Sequence, residues 1–429
     1  MQEAIDKNNL EISGLNSRLS HMDGVERKCQ YLDARCGSLE RTARLLIKNG
    51  EWEYSAPPIP SDHWVDQDFD EQHIEGMTKF LKSIKGKTRA LRGGICSETI
   101  RLGGFDESDH TVLLHDNALL PHWVEFTDAL QLCLDSKASH RLSIYNIQLP
   151  SSVINLLTSA LKNKPIFGLQ LDNNEFVNIR EGTEFVIEII QSNQKLKEFH
   201  WTNNEIESMD DANLLVEAII SRPLIKSISL VNCFGENMDA YSIFRSLLAS
   251  GKDFAHIDLG FNNIRTGGGT ELPDFLATNP PLKDLFLIEN HLDDSDAILI
   301  ARALKRNTHL EQLILGGNDI TDIGRDALRN SLLDSTTLNT IADSNHSCNV
   351  GGIDLDDDIS NNNRLLDDKV NRGRKIYSLL SSRNREGVNV HHLFDEEFDD
   401  DSMKLVPKVL ECVHIYAGHI QRSHDLLSR

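Results

Sequence analysis

Nine stretches of the chain follow one template, Leu-x-x-Leu-x-Leu-x-x-Asn-x-Leu, and they return every 27 to 30 residues across most of positions 109–346. The clearest copies are Ile166, Leu169, Leu171, Asn174, Phe176; Leu196, Phe199, Trp201, Asn204, Ile206; Phe254, Ile257, Leu259, Asn262, Ile264; Leu282, Leu285, Leu287, Asn290, Leu292; and Leu310, Leu313, Leu315, Asn318, Ile320. A copy at Ile225, Ile228, Leu230 carries Cys233 in place of Asn, and weaker copies begin near Asp109 (Val112, Leu114, Asn117, Leu119), Ser139 (Leu142, Ile144, Leu149) and Leu338. A fixed period of this length makes each copy one supersecondary unit that buries its apolar face only against its neighbours. Length alone, 429 residues, would suggest two or three domains, but the repeat predicts one elongated body with a continuous core.

Within each copy the Leu-x-Leu core reads as a short strand. A helical run follows at 153–161, 185–192, 214–220, 243–248, 272–276, 297–304 and 327–333. Parallel strands stack about 4.8 Å apart while helices need about 10 Å of width. The helices therefore splay outward and the strands line an inner, concave face. The recurring Asn is placed to turn inward and satisfy backbone groups where the chain leaves the strand.

The period, the Asn or Cys at the ladder position and the helical outer face resemble the ribonuclease-inhibitor class of leucine-rich repeats. The resemblance covers a little over half of the chain. It implies an α/β horseshoe with parallel concave strands and convex helices, in an intracellular protein that binds other proteins through the concave face. The ends depart from the pattern: Ile147 and His346 stand at ladder positions and Asp343 replaces the second strand Leu, which predicts distorted terminal copies.

Four segments follow from this reading. Residues 1–50 read as an amphipathic helix or short coiled coil, with Ile5, Ile12, Leu15, Leu19 and Met22 at heptad spacing, and residues 1–48 are the candidate surface for a homodimer. Residues 51–108 read as a Pro-rich linker (55–69) and an N-terminal cap with a helix at 71–91 and an irregular first strand around Ile100 and Leu102. The repeats occupy 109–349, and 350–429 read as an acidic loop and a helical cap with helices near 365–380 and 405–420 around an acidic turn at 395–401.

The net charge is −22, of which −15 falls on residues 109–349. Such a field repels phosphate backbones and anionic lipid and attracts basic proteins, so neither nucleic acid nor a membrane is an expected partner. No run of about 18 apolar residues could span a bilayer. The seven cysteines are dispersed at Cys29, Cys36, Cys96, Cys133, Cys233, Cys348 and Cys412, without a close pair, which fits buried thiols in a reducing, cytoplasmic setting.

Chemical motifs are weak. Asp354, Asp356 and Asp358 hint at a calcium loop, but Ile359 stands where the sixth position needs Gly and Leu365 where the twelfth needs Glu. Gly86, Lys87 and Thr88 imitate the end of a phosphate loop, yet Leu81 occupies the upstream Gly position. No GxSxG or HExxH is found, and His391 and His392 have no second ligand cluster, so the sequence points to no enzyme, metal or cofactor.

Side chains on either side of the middle strand position point out of the concave sheet. The central row is Leu113, Ser143, Gln170, His200, Ser229, Asp258, Phe286, Ile314 and Ala342; the next is His115, Tyr145, Asp172, Thr202, Val231, Gly260, Ile288, Gly316 and Ser344. This puts Val231, Phe286, Ile288 and Ile314 on a surface that the fold does not require to be apolar, flanked by Asp258, Asp284 and Glu289. They are the first candidates for docking a basic, partly apolar protein, unless the C-terminal helices cover them. Arg141, Tyr145, Asp172, Glu198 and His200 form a second, more polar set. Two other readings compete: a GTPase-activating protein, similar to the acidic activators that share this repeat class, with Arg141 as the residue supplied in trans, and a structural subunit assembled through the N-terminal helix.

Overall fold

The computed structural model describes residues 52–60, 62–94, 98–104, 111–135, 140–353, 363 and 368–385. The heptad residues of 1–48, Asp354, Asp356 and Asp358, His391 and His392, the acids of 395–401, the helix expected at 405–420, and Cys29, Cys36, Cys96 and Cys412 lie outside the described residues.

Nine strands form one parallel sheet in strict chain order: β1 (Thr99–Gly103), β2 (Arg141–Tyr145), β3 (Gly168–Asp172), β4 (Glu198–Thr202), β5 (Ser227–Val231), β6 (His256–Asp258), β7 (Asp284–Phe286), β8 (Gln312–Ile314) and β9 (Asn349–Gly351). Helix α1 (Glu71–Arg92) precedes the sheet. Each strand up to β8 is followed by a helix: α2 (Leu120–Asp135), α3 (Ser151–Leu161), α4 (Ile179–Ser192), α5 (Met209–Ile220), α6 (Ala240–Ala249), α7 (Glu271–Ala277), α8 (Asp294–Leu304) and α9 (Asp322–Leu332). All seven helical runs read from the sequence overlap helices in this series. An open parallel sheet with every crossover helix on one side is the leucine-rich repeat solenoid.

The register shows why the Leu-x-Leu spacing is obligatory. Phe199, Ile228, Ile257, Leu285, Leu313 and Val350 are aligned across β4 to β9 and are 0 to 1% exposed. They interdigitate with apolar helix residues such as Ile219, Phe244, Leu276 and Leu304 in a core that runs along the stack. The ladder asparagines finish each strand. Asn262 accepts from the amides of Cys233 (3.0 Å) and Phe234 (3.2 Å) in the preceding repeat and donates to the carbonyls of Leu230 (2.5 Å) and Leu259 (3.0 Å). Asn290 repeats this one rung on, accepting from Asn262 and Ile264 amides. Helix starts are set locally: Asn178, Ser208, Asp239 and Thr321 accept first-turn amides, and at α8 Asp293 and Asp296 form a reciprocal capping box.

The ends differ from the sequence reading. The copy near Asp109 is not a strand of the sheet: Leu113 is buried and makes an isolated bridge to Ile147, and the strand beside β2 is the one around Ile100 and Leu102. The copy at Leu338 is a helix, α10 (Leu338–Ala342), because Thr337 and Thr340 cap it reciprocally; the last strand lies further on, with Val350 beside Leu313. Leu113, His115, Ala342 and Ser344 therefore leave the concave rows.

The Pro-rich stretch is no free linker. Tyr54 and His122 share a 2.6 Å hydrogen bond, Ser55 N donates to Glu125 (3.0 Å), and buried Trp64 donates to Asp116 (3.0 Å). With Met77, Phe80 and Ile84 of α1 packed on Trp123 and Phe126 of α2, these groups seal the first repeat. Gly86, Lys87 and Thr88 lie inside α1, where Thr88 is buried and bonds the Ile84 carbonyl, so no phosphate-binding loop forms. At the other end α11 (Asp368–Arg385) packs on α10, and buried Lys375 donates to the carbonyls of Leu332 (2.6 Å) and Asn345 (2.7 Å).

Candidate functional site

Because β6, β7 and β8 are aligned, Asp258, Phe286 and Ile314 stand side by side on the face opposite the core, and His256, Asp284 and Gln312 form the row before them. The next row continues beyond the strands. Asn232 N donates to Gly260 O (3.0 Å), Phe261 N to Ile288 O (2.8 Å) and Glu289 N to Gly316 O (2.7 Å), which keeps Val231, Gly260, Ile288 and Gly316 in step. The structure thus brings Val231, Asp258, Asp284, Phe286, Ile288 and Ile314 onto one concave surface, where the four apolar members stay partly exposed while their strand neighbours Ile257, Leu285 and Leu313 are fully buried.

The acids differ from one another. Asp284 Oδ2 lies 3.6 Å from His256 Nδ1, and the His256 ring meets Phe286 edge-on at 5.0 Å. Among the described residues Asp258 makes no comparably close contact with a basic side chain. It accepts the Gly260 amide (3.1 Å), and burial pushes its pKa above the ordinary carboxylate range against the pull of that bond and of His256. Glu289 is displaced from the sheet rows: its φ of 51° puts it in a left-handed turn at the rim, and a side chain at Gly317 would collide with its carboxylate.

The polar set is partly paired within itself, while Arg141 Nε and His200 Nε2 are buried without a hydrogen-bond partner. Arg141 Nη2 bridges to Glu198 across β3, which is possible because residue 168 is Gly: a Cβ there would sit 2.8 Å from Arg141 Cγ. The same guanidinium lies 5.5 Å from the Phe167 ring. Asp172 accepts from Asn203 Nδ2 (3.0 Å), and the Tyr145 ring covers Gly103. Burial, with His256 and Arg141 nearby and Glu198 opposing, lowers the His200 pKa to about 4, so this imidazole is neutral at neutral pH. Arg141 is committed to its neighbours, a poor starting point for an arginine that must reach another protein's nucleotide.

Sequence reading missed Phe261. It occupies the position filled elsewhere by Asn173, Asn203, Asn232, Glu289 and Gly317, all left-handed. The asparagines exploit that geometry: Asn173 donates to Asn146 (2.8 Å), Asn203 to Asp172, and Asn232 to Asn203 (3.0 Å). Phe261, at φ 60° and 50% exposed, ends this outer ladder. The signal was available as the one bulky apolar residue in that column, but it is visible only once the column is known to be left-handed and solvent-facing.

Comparison with known proteins agrees with the repeat architecture. No family model matches the chain. Human NACHT, LRR and PYD domains-containing protein 14 is 26% identical over 282 residues, which are 62% of this chain and 25% of that protein. The chain is a leucine-rich repeat protein. It spans about a quarter of that relative's length. A solved structure of a Bacteroides fragilis protein matches 63% of this chain and 70% of its own at 14% identity, with a TM-score of 0.37. Among the described residues of this repeat protein no three His, Cys, Asp or Glu side chains converge as metal ligands, and no helix is long and apolar enough to cross a membrane.

Proposed function

We propose that the chain is a non-enzymatic scaffold whose concave face, from β5 to β8, docks a protein carrying basic and apolar side chains. The observation behind this reading is the cluster of Val231, Phe286, Ile288 and Ile314 left partly exposed beside Asp258 and Asp284. The core needs only the alternate residues of these strands, so apolar groups on the outward positions add nothing to folding and cost solubility. Aromatic and aliphatic anchors ringed by charge are the usual composition of a protein interface. The negative repeat domain would speed encounter with a basic partner. A reducing intracellular setting accompanies the reading, supported by the burial of Cys133, Cys233 and Cys348.

The described C-terminal helix supports an open face, since α11 packs on α10 at the end of the stack. The test is affinity capture with the full chain and with a Phe286→Asp, Ile314→Asp double variant. Loss of the captured proteins with an unchanged circular dichroism spectrum supports docking at this face. Equal capture by the two proteins removes the face from consideration.

A further inference from the structure

At the edge of the stack where helices end and strands begin, the local charge is opposite to that of the protein. The connectors that enter β4, β5 and β6, residues 193–197, 221–226 and 250–255, hold Lys195, Lys197, Arg222, Lys226 and Lys252 against one acid, Asp253. Backbone register keeps these connectors together: Lys226 N donates to Lys197 O (2.9 Å), Ala255 N donates to Lys226 O (2.8 Å), and Lys252 Nζ bonds the Arg222 carbonyl from the next rung. Burial, with Lys226 nearby, lowers the Lys252 pKa to about 8. Lys226 lies 3.8 Å from Asp253, whereas Lys195 and Lys197 are exposed and pair with no acid among the described residues.

The fold does not require this arrangement. Cations near helix C-termini offset the helix dipole, but the ends of α4, α5 and α6 carry only about half a negative charge each, so a positive surplus remains. Elsewhere the same connector is held by asparagine: Asn193 Nδ2 donates to Leu161 O (3.2 Å) and Asn307 Nδ2 to Leu276 O (2.9 Å), each three residues before the first apolar position of its copy, Leu196 or Leu310. In the copies that begin at Ile225 and Phe254 that place is taken by Arg222 and Gly251, and Arg222 Nε is buried without a hydrogen-bond partner. The turn after Arg222 then sets Leu224 outward, 45% exposed, where other copies have Pro165, Lys195, Asp253, Pro281 and His309. An exposed aliphatic side chain ringed by unpaired cations coincides with the lapse of the structural asparagine.

We infer that this edge is a second docking surface, for a protein segment that presents an apolar side chain to Leu224 and flanking carboxylates to Lys195, Lys197 and Lys226. Charge complementarity selects an acidic segment, and Leu224 selects an apolar residue within it. A nucleic acid would leave Leu224 without an apolar contact. Either a nucleic acid or an anionic membrane would also extend past these three rungs, about 10 Å of strand spacing, onto a domain of strongly negative charge. The surface is separate from the concave face and goes beyond the docking reading given above.

The probe is a random peptide library displayed on phage and selected on the full chain. Each selected peptide is titrated against a Lys195→Glu, Lys197→Glu double variant, against Leu224→Asp and against Phe286→Asp, with oligo-dT and phosphatidylserine vesicles run as alternative polyanions. The edge predicts a group of peptides in which acids flank an apolar residue. Their affinity falls about tenfold or more with the charge reversal and with Leu224→Asp, falls with added salt, and is unchanged by Phe286→Asp. The two edge variants are independent, so a lowered melting temperature in one leaves the other to decide. The inference is overturned if no selected peptide responds to the edge variants, or if the responsive peptides lack the acidic and apolar pattern or ignore Leu224→Asp. Binding of oligo-dT or vesicles that the charge reversal abolishes and Leu224→Asp leaves intact also overturns it and assigns the edge to a polyanion. All of these results leave the concave face to its own test with Phe286→Asp.

Discussion

Replacing Asn262 by Ala tests the ladder that sets the spacing of the stack. The side chain is fully buried, and it holds the Cys233 and Phe234 amides through Oδ1 and the Leu230 and Leu259 carbonyls through Nδ2. Alanine leaves two buried N–H groups without an acceptor, each worth about 1–3 kcal/mol, whereas the carbonyls lose only one of their possible donors. Counting the amides alone gives about 2–6 kcal/mol, and some relaxation toward water puts the expected loss near 3 kcal/mol. Urea unfolding followed by circular dichroism measures it as a lower midpoint at constant slope. Asn232→Ala serves as the control, because Asn232 is exposed and its bond to Asn203 lies on the rim; it should cost about 0.5 kcal/mol or less. A loss below about 1 kcal/mol for Asn262→Ala, or equal losses for the two variants, would refute the account of the ladder.

Two further perturbations probe the rim and the C-terminal end. Phe261→Asn restores the residue type that the left-handed column favours, so it should raise stability by about 1 kcal/mol while weakening partner capture; a loss of stability would show that the Phe261 ring supports the fold. Burial lowers the Lys375 pKa to about 7, below its value in an unfolded chain, so the unfolded state binds more protons between pH 7 and about 10.5 and stability should rise with pH through that window. In urea titrations Lys375→Met should flatten this slope relative to the parent chain; identical slopes would contradict a titrating Lys375.

Much of the fold was readable because the repeat obeys two periods at once. The Leu-x-Leu pairs at Leu169, Phe199, Ile257, Leu285 and Leu313 identify strands by period two, and the helical runs follow from the spacing that must return the chain to the next rung. The ends were misread where the template survives in letters but not in environment. Val112 and Leu114 imitate a strand pair, yet Leu113 between them is the buried residue and Leu114 is exposed. Leu338 and Ile341 fit the first two template positions, but Asp343 stands at the third and the Thr337 and Thr340 capping box starts a helix there, so the last strand begins only at Asn349. Period two likewise placed Phe286 and Ile314 on the concave face. It could not place Glu289 or Phe261, whose directions come from a left-handed backbone rather than from alternation.

Hydrogen–deuterium exchange on the full chain, alone and with a captured partner, tests the docking face most directly. The account predicts slower exchange on binding along 227–232, 256–261, 284–289 and 312–316, with no change in α5, α6, α7 and α8 on the outer side. Protection confined to those helices, or to the cap formed by α1 and α2, would contradict it.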